Sequence, residues 1–131
     1  MIPARLQVLD RHNLALIYDF DLSVHNIVEP IHVLPLNDIY LITDCNSHII
    51  VGINTDNEYI WNYGTHGNPG RRYNELCVPL MTDYHGGNIL ISEQRSNRVI
   101  AIDFYTKDIV KVWGIPTMLV VLTIIFGLHK Q

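Results

Sequence analysis

The chain has 131 residues, a length that fits one domain, with 48% apolar and 17% charged side chains. That balance can fill a core and excludes a disordered chain. The net charge of -4 arises from scattered acids and bases without a basic patch, which sets nucleic acid aside as an expected partner.

The opening MIPARLQVLD lacks the basic-then-apolar pattern of a secretory leader, and no Asn-x-Ser/Thr acceptor site follows. The compartment therefore stays unassigned. Leu6–Asp10 and Ile17–Phe20 alternate apolar and polar residues around a polar turn, which predicts two short strands. Four strands follow, near Ile31–Leu34, Tyr40–Thr43, His48–Ile53 and Glu58–Tyr63. A glycine-rich linker then leads to four more, near Leu80–Thr82, Asn88–Ser92, Arg98–Asp103 and Ile109–Trp113. Ile, Val, Tyr and Trp fill these runs, and Pro, Gly, Asn and Asp separate them. Leu36-Asn37-Asp38 and His85-Gly86-Gly87-Asn88 supply residues suited to tight turns.

The two groups of four are copies. Pro30–Ile53 aligns with Pro79–Ile102 at a constant offset of 49, so that Leu41 meets Leu90, Asp44 meets Glu93 and Ile50 meets Val99. One residue is then inserted in the later copy, and Tyr63-Gly64 meets Trp113-Gly114. Leu6–Asp10 also matches Val99–Asp103, and Ile17–Phe20 matches Ile60–Tyr63, which makes the beginning half a module. Four short strands at a period near 50 predict a β-propeller blade. One such sheet cannot bury both faces alone, whereas stacked sheets cover each other. Leu41, Ile50 and Ile60, with Leu90, Val99 and Ile109, are the residues expected on the covered faces.

The expected fold is thus all-β: an incomplete propeller of four-stranded antiparallel blades over 1–114. Residues 6–20 would be the outer strands of one blade, 30–64 a second blade and 79–114 a third. Residues 115–131 fall outside the repeat as an apolar tail. Val112–Leu128 is seventeen residues without a charge, the short limit for a membrane-spanning helix, so membrane contact is expected only through 112–128. The new part of that run, Met118–Phe126, reads as an extra strand or a sticky end.

Ser96-Asn97-Arg98-Val99, and more weakly Ser47-His48-Ile49-Ile50, stand at the turn after the second strand. Gly64-Thr65-His66-Gly67-Asn68-Pro69-Gly70 and Asn74-Glu75-Leu76-Cys77-Val78-Pro79 lead into the next module. In these segments Leu6–Gly114 resembles the NHL-type repeats of six-bladed β-propellers, with a TolB-like strand pattern. The signature turn of that family reads Asn-His-Leu or Asn-Asn-Arg-Val. The resemblance implies a non-catalytic interaction module whose partners are proteins, sometimes RNA or small ligands; the acidic balance here disfavours RNA. It leaves two alternatives, a fragment of a lactonase-, lyase- or sulfotransferase-like propeller enzyme and a membrane-tethered module. About two and a half blades cannot close a ring, since even the smallest propellers have about four. An open arc is expected to self-associate or to use partner chains to complete the ring.

The chemistry-bearing residues point to no reaction. Seven histidines include no HxH, HxxxH or HExxH pair. His32 falls on or beside the innermost strand, but its counterpart is Met81, so no histidine ring forms and no metal or cofactor is expected. Cys45 and Cys77 form no CxxC unit and are expected as free thiols. Asp44 and Glu93 end equivalent second strands, where an acid typically accepts backbone N–H bonds in its own turn. Arg98 could pair with Glu93 or Asp103. Ser23 and Ser92 lack a His and an acid at triad spacing, and the 64–70 loop lacks the Lys-Ser/Thr of a phosphate loop. No catalytic residue is expected. Asp44, His48, Glu93, Asn97 and Arg98 remain as a candidate binding or repeat-signature turn.

Overall fold

A computed structural model describes residues 3–95 and 97–114. The tail 115–131, including Met118–Phe126 and most of 112–128, lies outside the described residues, as does Ser96 of the signature turn. The described chain is all-β. Its strands are β1 (Arg5–Leu9), β2 (Leu16–Asp21), β3 (Pro30–Leu36), β4 (Ile39–Asp44), β5 (Ile49–Asn54), β6 (Tyr59–Gly64), β7 (Pro79–His85), β8 (Asn88–Glu93), β9 (Arg98–Asp103) and β10 (Ile109–Gly114). A single 3-10 turn, Leu22–His25, follows β2. Strands β3-β4-β5-β6 form one antiparallel meander and β7-β8-β9-β10 a second, while β1-β2 is a separate hairpin. Among the described residues no helix is long and apolar enough to cross a membrane.

The two meanders share register as well as strand count. Each first strand begins with a proline, which has no N–H to give the ladder, and pairing slips directly after it. Pro30 faces Asp44 and His32 faces Thr43, so Ile31 is bulged; Pro79 faces Glu93 and Met81 faces Ser92, so Leu80 is bulged. Each last strand slips at the same place too. Gly52 faces Trp61 and Ile53 faces Tyr59, which skips Ile60; Ala101 faces Lys111 and Ile102 faces Ile109, which skips Val110. Three of the hairpins, β1-β2, β5-β6 and β9-β10, are closed by one device, an Asx side chain accepting N–H groups in the turn. Asp10 accepts from His12 and Asn13, Asn54 from Asp56 and Glu58, and Asp103 from Tyr105 and Thr106. The residue inserted in the later copy sits in that last turn.

Strand alternation assigns the core. On β4, Ile39 and Leu41 face the second meander and Tyr40 and Ile42 face the hairpin. On β5, Ile50 points one way and Ile49, Val51 and Ile53 the other. The larger core unites Leu41, Ile50, Trp61 and Tyr63 with Ile89, Ile91, Ile100 and Ile102, and Leu76 of the connection enters it. The smaller one joins Leu22 and Ile27 to Ile42, Ile49, Val51 and Ile53, with Leu6 and Phe20 of the hairpin against it. Full burial of each such aliphatic side chain is worth about 1.5–3 kcal/mol. The middle sheet is therefore covered on both faces.

Four of the six expected covering residues, Ile60, Ile109, Leu90 and Val99, are in neither core cluster. Ile60 is 48% exposed because the bulge turns it out, and Ile109 is 37% exposed at the rim. Trp61 and Tyr63 take their place in the first meander. In the second meander Ile89, Ile91, Ile100 and Ile102 face the core, and Leu90 and Val99 belong to the opposite face.

Candidate functional site

The signature-turn residues hold backbone. Asp44, fully buried at the end of β4, accepts from the N–H groups of Val28 (2.8 Å), Glu29 (3.2 Å) and Ser47 (3.2 Å). Only Ser47 belongs to its own turn; Val28 and Glu29 lie in the connection entering β3. Glu93 repeats the arrangement one module later and accepts from the Cys77 N–H at 2.7 Å, in the connection entering β7. The longer glutamate also meets the Arg98 guanidinium, with Nε 2.5 Å from its second oxygen. Arg98 then donates to the carbonyls of Arg71 and Glu75, both at 3.3 Å. Arg98 thus pairs with Glu93, in a buried setting rather than at the surface. Burial pushes the Glu93 carboxyl above its ordinary range, and Arg98 and the Cys77 N–H oppose the rise.

His48 and Asn97 occupy equivalent left-handed positions, with φ of 60° and 51°. His48 Nδ1 accepts the Val78 N–H at 3.0 Å, which ties the first meander's turn to the connection entering the second. Val78 itself has φ of 52°, an uncommon conformation for a β-branched residue, and its carbonyl accepts from Gln94 at 2.9 Å. Burial lowers the His48 pKa, because the charged ring would lose hydration.

The connection has a hub that sequence reasoning missed. The Tyr63 hydroxyl accepts from Asn74 N–H (3.0 Å), the Asn74 side chain accepts from Gly64 N–H (2.9 Å), and the Thr65 hydroxyl donates to the Asn74 carbonyl (2.9 Å). Glu75 accepts from the Arg72 N–H nearby. No local pattern announces Asn74, because its partners end a strand ten residues upstream. The hairpin is tied on similarly: the His25 ring meets Asn57 at 3.0 Å and the His66 ring meets the Asn26 carbonyl at 3.1 Å.

This network offers no acid–base pair to a substrate. Asp44 and Glu93 lie in different modules, each buried against its own connection, so neither reaches a proton on a bound molecule. Among the described residues no group of three or more His, Cys, Asp or Glu side chains could hold a metal ion. His32, on β3, lines a shallow groove with Leu6, Leu22, Pro30 and Ile42, and burial lowers its pKa.

The second candidate surface is the face of the β7–β10 sheet turned away from the core. Two cross-strand rows compose it. One runs Asp83, Leu90, Ala101, Lys111, and the other runs Met81, Ser92, Val99, Trp113. Met81 is 48% and Trp113 41% exposed, and the Lys111 ammonium lies 5.2 Å from the Trp113 ring centre. Neither core cluster includes a residue of this face. By the 49-residue offset, Leu90, Val99 and Ala101 correspond to Leu41, Ile50 and Gly52, and Trp113 to Tyr63. Those counterparts are the face of the first meander that the second one covers. No protein-family model matches the sequence, and no curated protein matches it.

Proposed function

We propose that this chain is part of an NHL-like β-propeller and serves as a non-catalytic protein-binding module. The propeller assignment is supported by two meanders with the same register, the same two bulges and a 49-residue offset, packed face to face. Their first strands, β3 and β7, lie side by side, as inner strands of adjacent blades do.

The outward face of β7–β10 carries the binding assignment. It repeats a surface that is buried one module earlier, yet it presents Met81 and Trp113 to solvent. Val99 and Ala101 at its centre are buried, and the exposed Met81 and Trp113 at its margins, beside Asp83 and Lys111, are an apolar and charged combination suited to protein contact. The polar signature residues, by contrast, are occupied with backbone.

Site-specific photocrosslinking tests this function. A photoreactive side chain at Met81 is expected to form protein adducts, and the same group at Gln7, on the polar outer side of the hairpin, is not. Lack of any protein adduct at Met81 under native conditions would overturn the proposal.

A further inference from the structure

Two turns and the end of β7 border a pocket of about 240 Å³ at one end of the seam between the meanders. Leu36 and Ile39, on either side of the β3–β4 turn, give it an apolar part, and Asp38 of that turn adds a carboxylate. Tyr84 comes from β7, and Phe104 and Tyr105 from the β9–β10 turn. Backbone contacts fix these walls. Asn37 takes a left-handed φ of 55° in the turn that carries Asp38. Asp103 accepts the Tyr105 and Thr106 N–H groups, each at 2.8 Å, and the Phe104 N–H donates to the Gly87 carbonyl at 3.1 Å. Phe104 is held further by its stack on Trp61.

The aromatic walls are not part of the repeat. At the 49-residue offset Tyr84 corresponds to Pro35. The first meander has Thr55-Asp56-Asn57 between Asn54 and Glu58, where the second has Phe104-Tyr105-Thr106-Lys107 between Asp103 and Asp108. Both turns close on an Asx side chain, so the module itself needs no aromatic there. Tyr105 is 85% exposed, a placement that core packing does not explain. The Phe104 and Tyr105 rings lie 5.0 Å apart at 87°, two walls at nearly a right angle. Such a corner suits a compact, roughly spherical group better than a flat one. The charge it takes has a definite sign. Asp38 is the one charged side chain lining the pocket, and it makes no ion pair among the described residues. Aromatic faces add negative potential. The Lys107 ammonium already lies 5.4 Å from the Trp61 ring centre, so the same aromatic stack holds one cation of the chain, outside the pocket lining.

We infer that this pocket binds a methylated ammonium group, seated against Tyr84, Phe104 and Tyr105 with Asp38 as its counter-charge. The volume falls below the roughly 300–1,000 Å³ of pockets that take drug-sized ligands, so it fits a headgroup or the end of one side chain. Methylation decides among cations. A bare ammonium is strongly hydrated and must shed that water to touch a ring. Methyl groups spread the charge and make the contact apolar as well as electrostatic. Trimethyl-lysine in a protein and a free quaternary amine such as choline carry this same chemistry. The pocket is separate from the outward face of β7–β10, so its occupancy does not depend on protein binding there.

Proton NMR titration of the full chain, with choline and with acetyl-trimethyl-lysine methylamide, tests the assignment. The N-methyl protons are expected to move upfield, because ring currents shield groups held over ring faces, with a dissociation constant of about 1 mM. The unmethylated lysine derivative is expected to bind about fivefold more weakly or worse. The same holds for the neutral analogue of choline in which a tert-butyl group replaces trimethylammonium. Tyr105→Ala and Asp38→Asn are each expected to weaken binding about two- to fivefold, and Tyr105→Phe to leave it near wild type. Tyr84→Ala combined with Tyr105→Ala should abolish the shift. All of these positions are exposed, so far-ultraviolet circular dichroism should be unchanged. The absence of a shift with both ligands would overturn the site, as would a neutral analogue bound as tightly as choline, or a Tyr105→Ala variant that binds like wild type. The ranking of the two ligands identifies the source. Tighter choline supports a free amine in this pocket, and a tighter lysine derivative supports a methylated protein side chain.

Discussion

The His48 ring accepts a backbone N–H through Nδ1, so that nitrogen must be unprotonated in the folded chain. The consequence for stability has a definite sign. The folded pKa lies below the ordinary value of 6.5, with burial the main cause, Arg95 adding to it and Asp44 opposing. Above about pH 6.5 both folded and unfolded His48 are neutral and the contribution is complete. Below that the unfolded chain binds the proton first, and stability falls as pH drops towards the folded pKa. His32 shifts in the same direction, whereas Glu93, raised by burial, stabilises below its ordinary 4.5 and loses that contribution as pH rises through its folded value. His48→Asn isolates one histidine. Asparagine tolerates φ above zero, keeps a side-chain acceptor, and already stands at the equivalent Asn97. The urea midpoint of wild type is expected to fall between about pH 7 and pH 5.5, and that of the variant to fall less. Equal slopes would refute a titrating role for His48. The Glu93–Arg98 pair makes a sharper prediction. Arg98→Met leaves a buried carboxylate without its cation and is expected to destabilise by about 3–5 kcal/mol. Glu93→Gln keeps an acceptor for the Cys77 N–H and should lose less. Urea denaturation of both measures this, and a loss under about 1 kcal/mol for Arg98→Met would mean the pair is hydrated.

At the scale of the strand, the aromatic-glycine ends of β6 and β10 show what repetition selects. Gly64 has φ of 102°, and a Cβ there would lie 2.5 Å from the His48 carbonyl oxygen. Gly114 repeats this against the Asn97 carbonyl, at φ of 119°. The last strand crosses so close to the preceding turn that a side chain is excluded, which explains why Tyr63-Gly64 and Trp113-Gly114 align. The two tryptophans of these last strands, Trp61 of β6 and Trp113 of β10, are not equivalent in energy. Trp61 is 8% exposed, stacks on Phe104 at 5.2 Å and donates to the Phe104 carbonyl at 2.8 Å. Trp61→Ala is expected to lose about 3–5 kcal/mol. Trp113, at 41% exposure, is expected to lose about 1 kcal/mol or less. Thermal denaturation at low concentration ranks the two; a Trp113→Ala loss as large as that of Trp61→Ala would place Trp113 in a core. Ten strands and their order were legible because β-branched runs and turn residues alternate with little ambiguity. The bulges were not, since skipping Ile60 or Val110 depends on how the last strand crosses its neighbour, and a one-residue slip inverts which side chains are buried. The matched acids Asp44 and Glu93 could be found by the offset. Their partners could not, because an N–H sixteen residues upstream carries no side-chain signal.

The molecule as a whole is asymmetric in cover. The β3–β6 sheet lies between two cores, whereas β10 is exposed along its whole length and the β1–β2 hairpin is exposed on its outer side. Local opening follows such differences, since amides leave protection when the smallest cooperative unit containing them opens. Hydrogen exchange should therefore be slowest in β4 and β5, intermediate in β8 and β9, and fastest in β10 and β1. The decisive question is whether the two meanders open separately. Ile91 is fully buried and packs in one cluster with Leu41 and Ile50 of the other sheet. Removing its side chain leaves a cavity at the seam, and Ile91→Ala is expected to lose about 2–4 kcal/mol. If one core unites the sheets, exchange in β4 and β5 should accelerate by nearly the same free energy as exchange in β8, although the substitution lies outside them. Faster exchange confined to β7–β10 would make each meander its own folding unit, with the seam a docking contact between them. The composition of the seam argues for the first outcome. It contains nine fully or nearly fully buried residues, drawn from both sheets and from Leu76 of the connection, and neither sheet has a second apolar layer facing that seam to bury them alone.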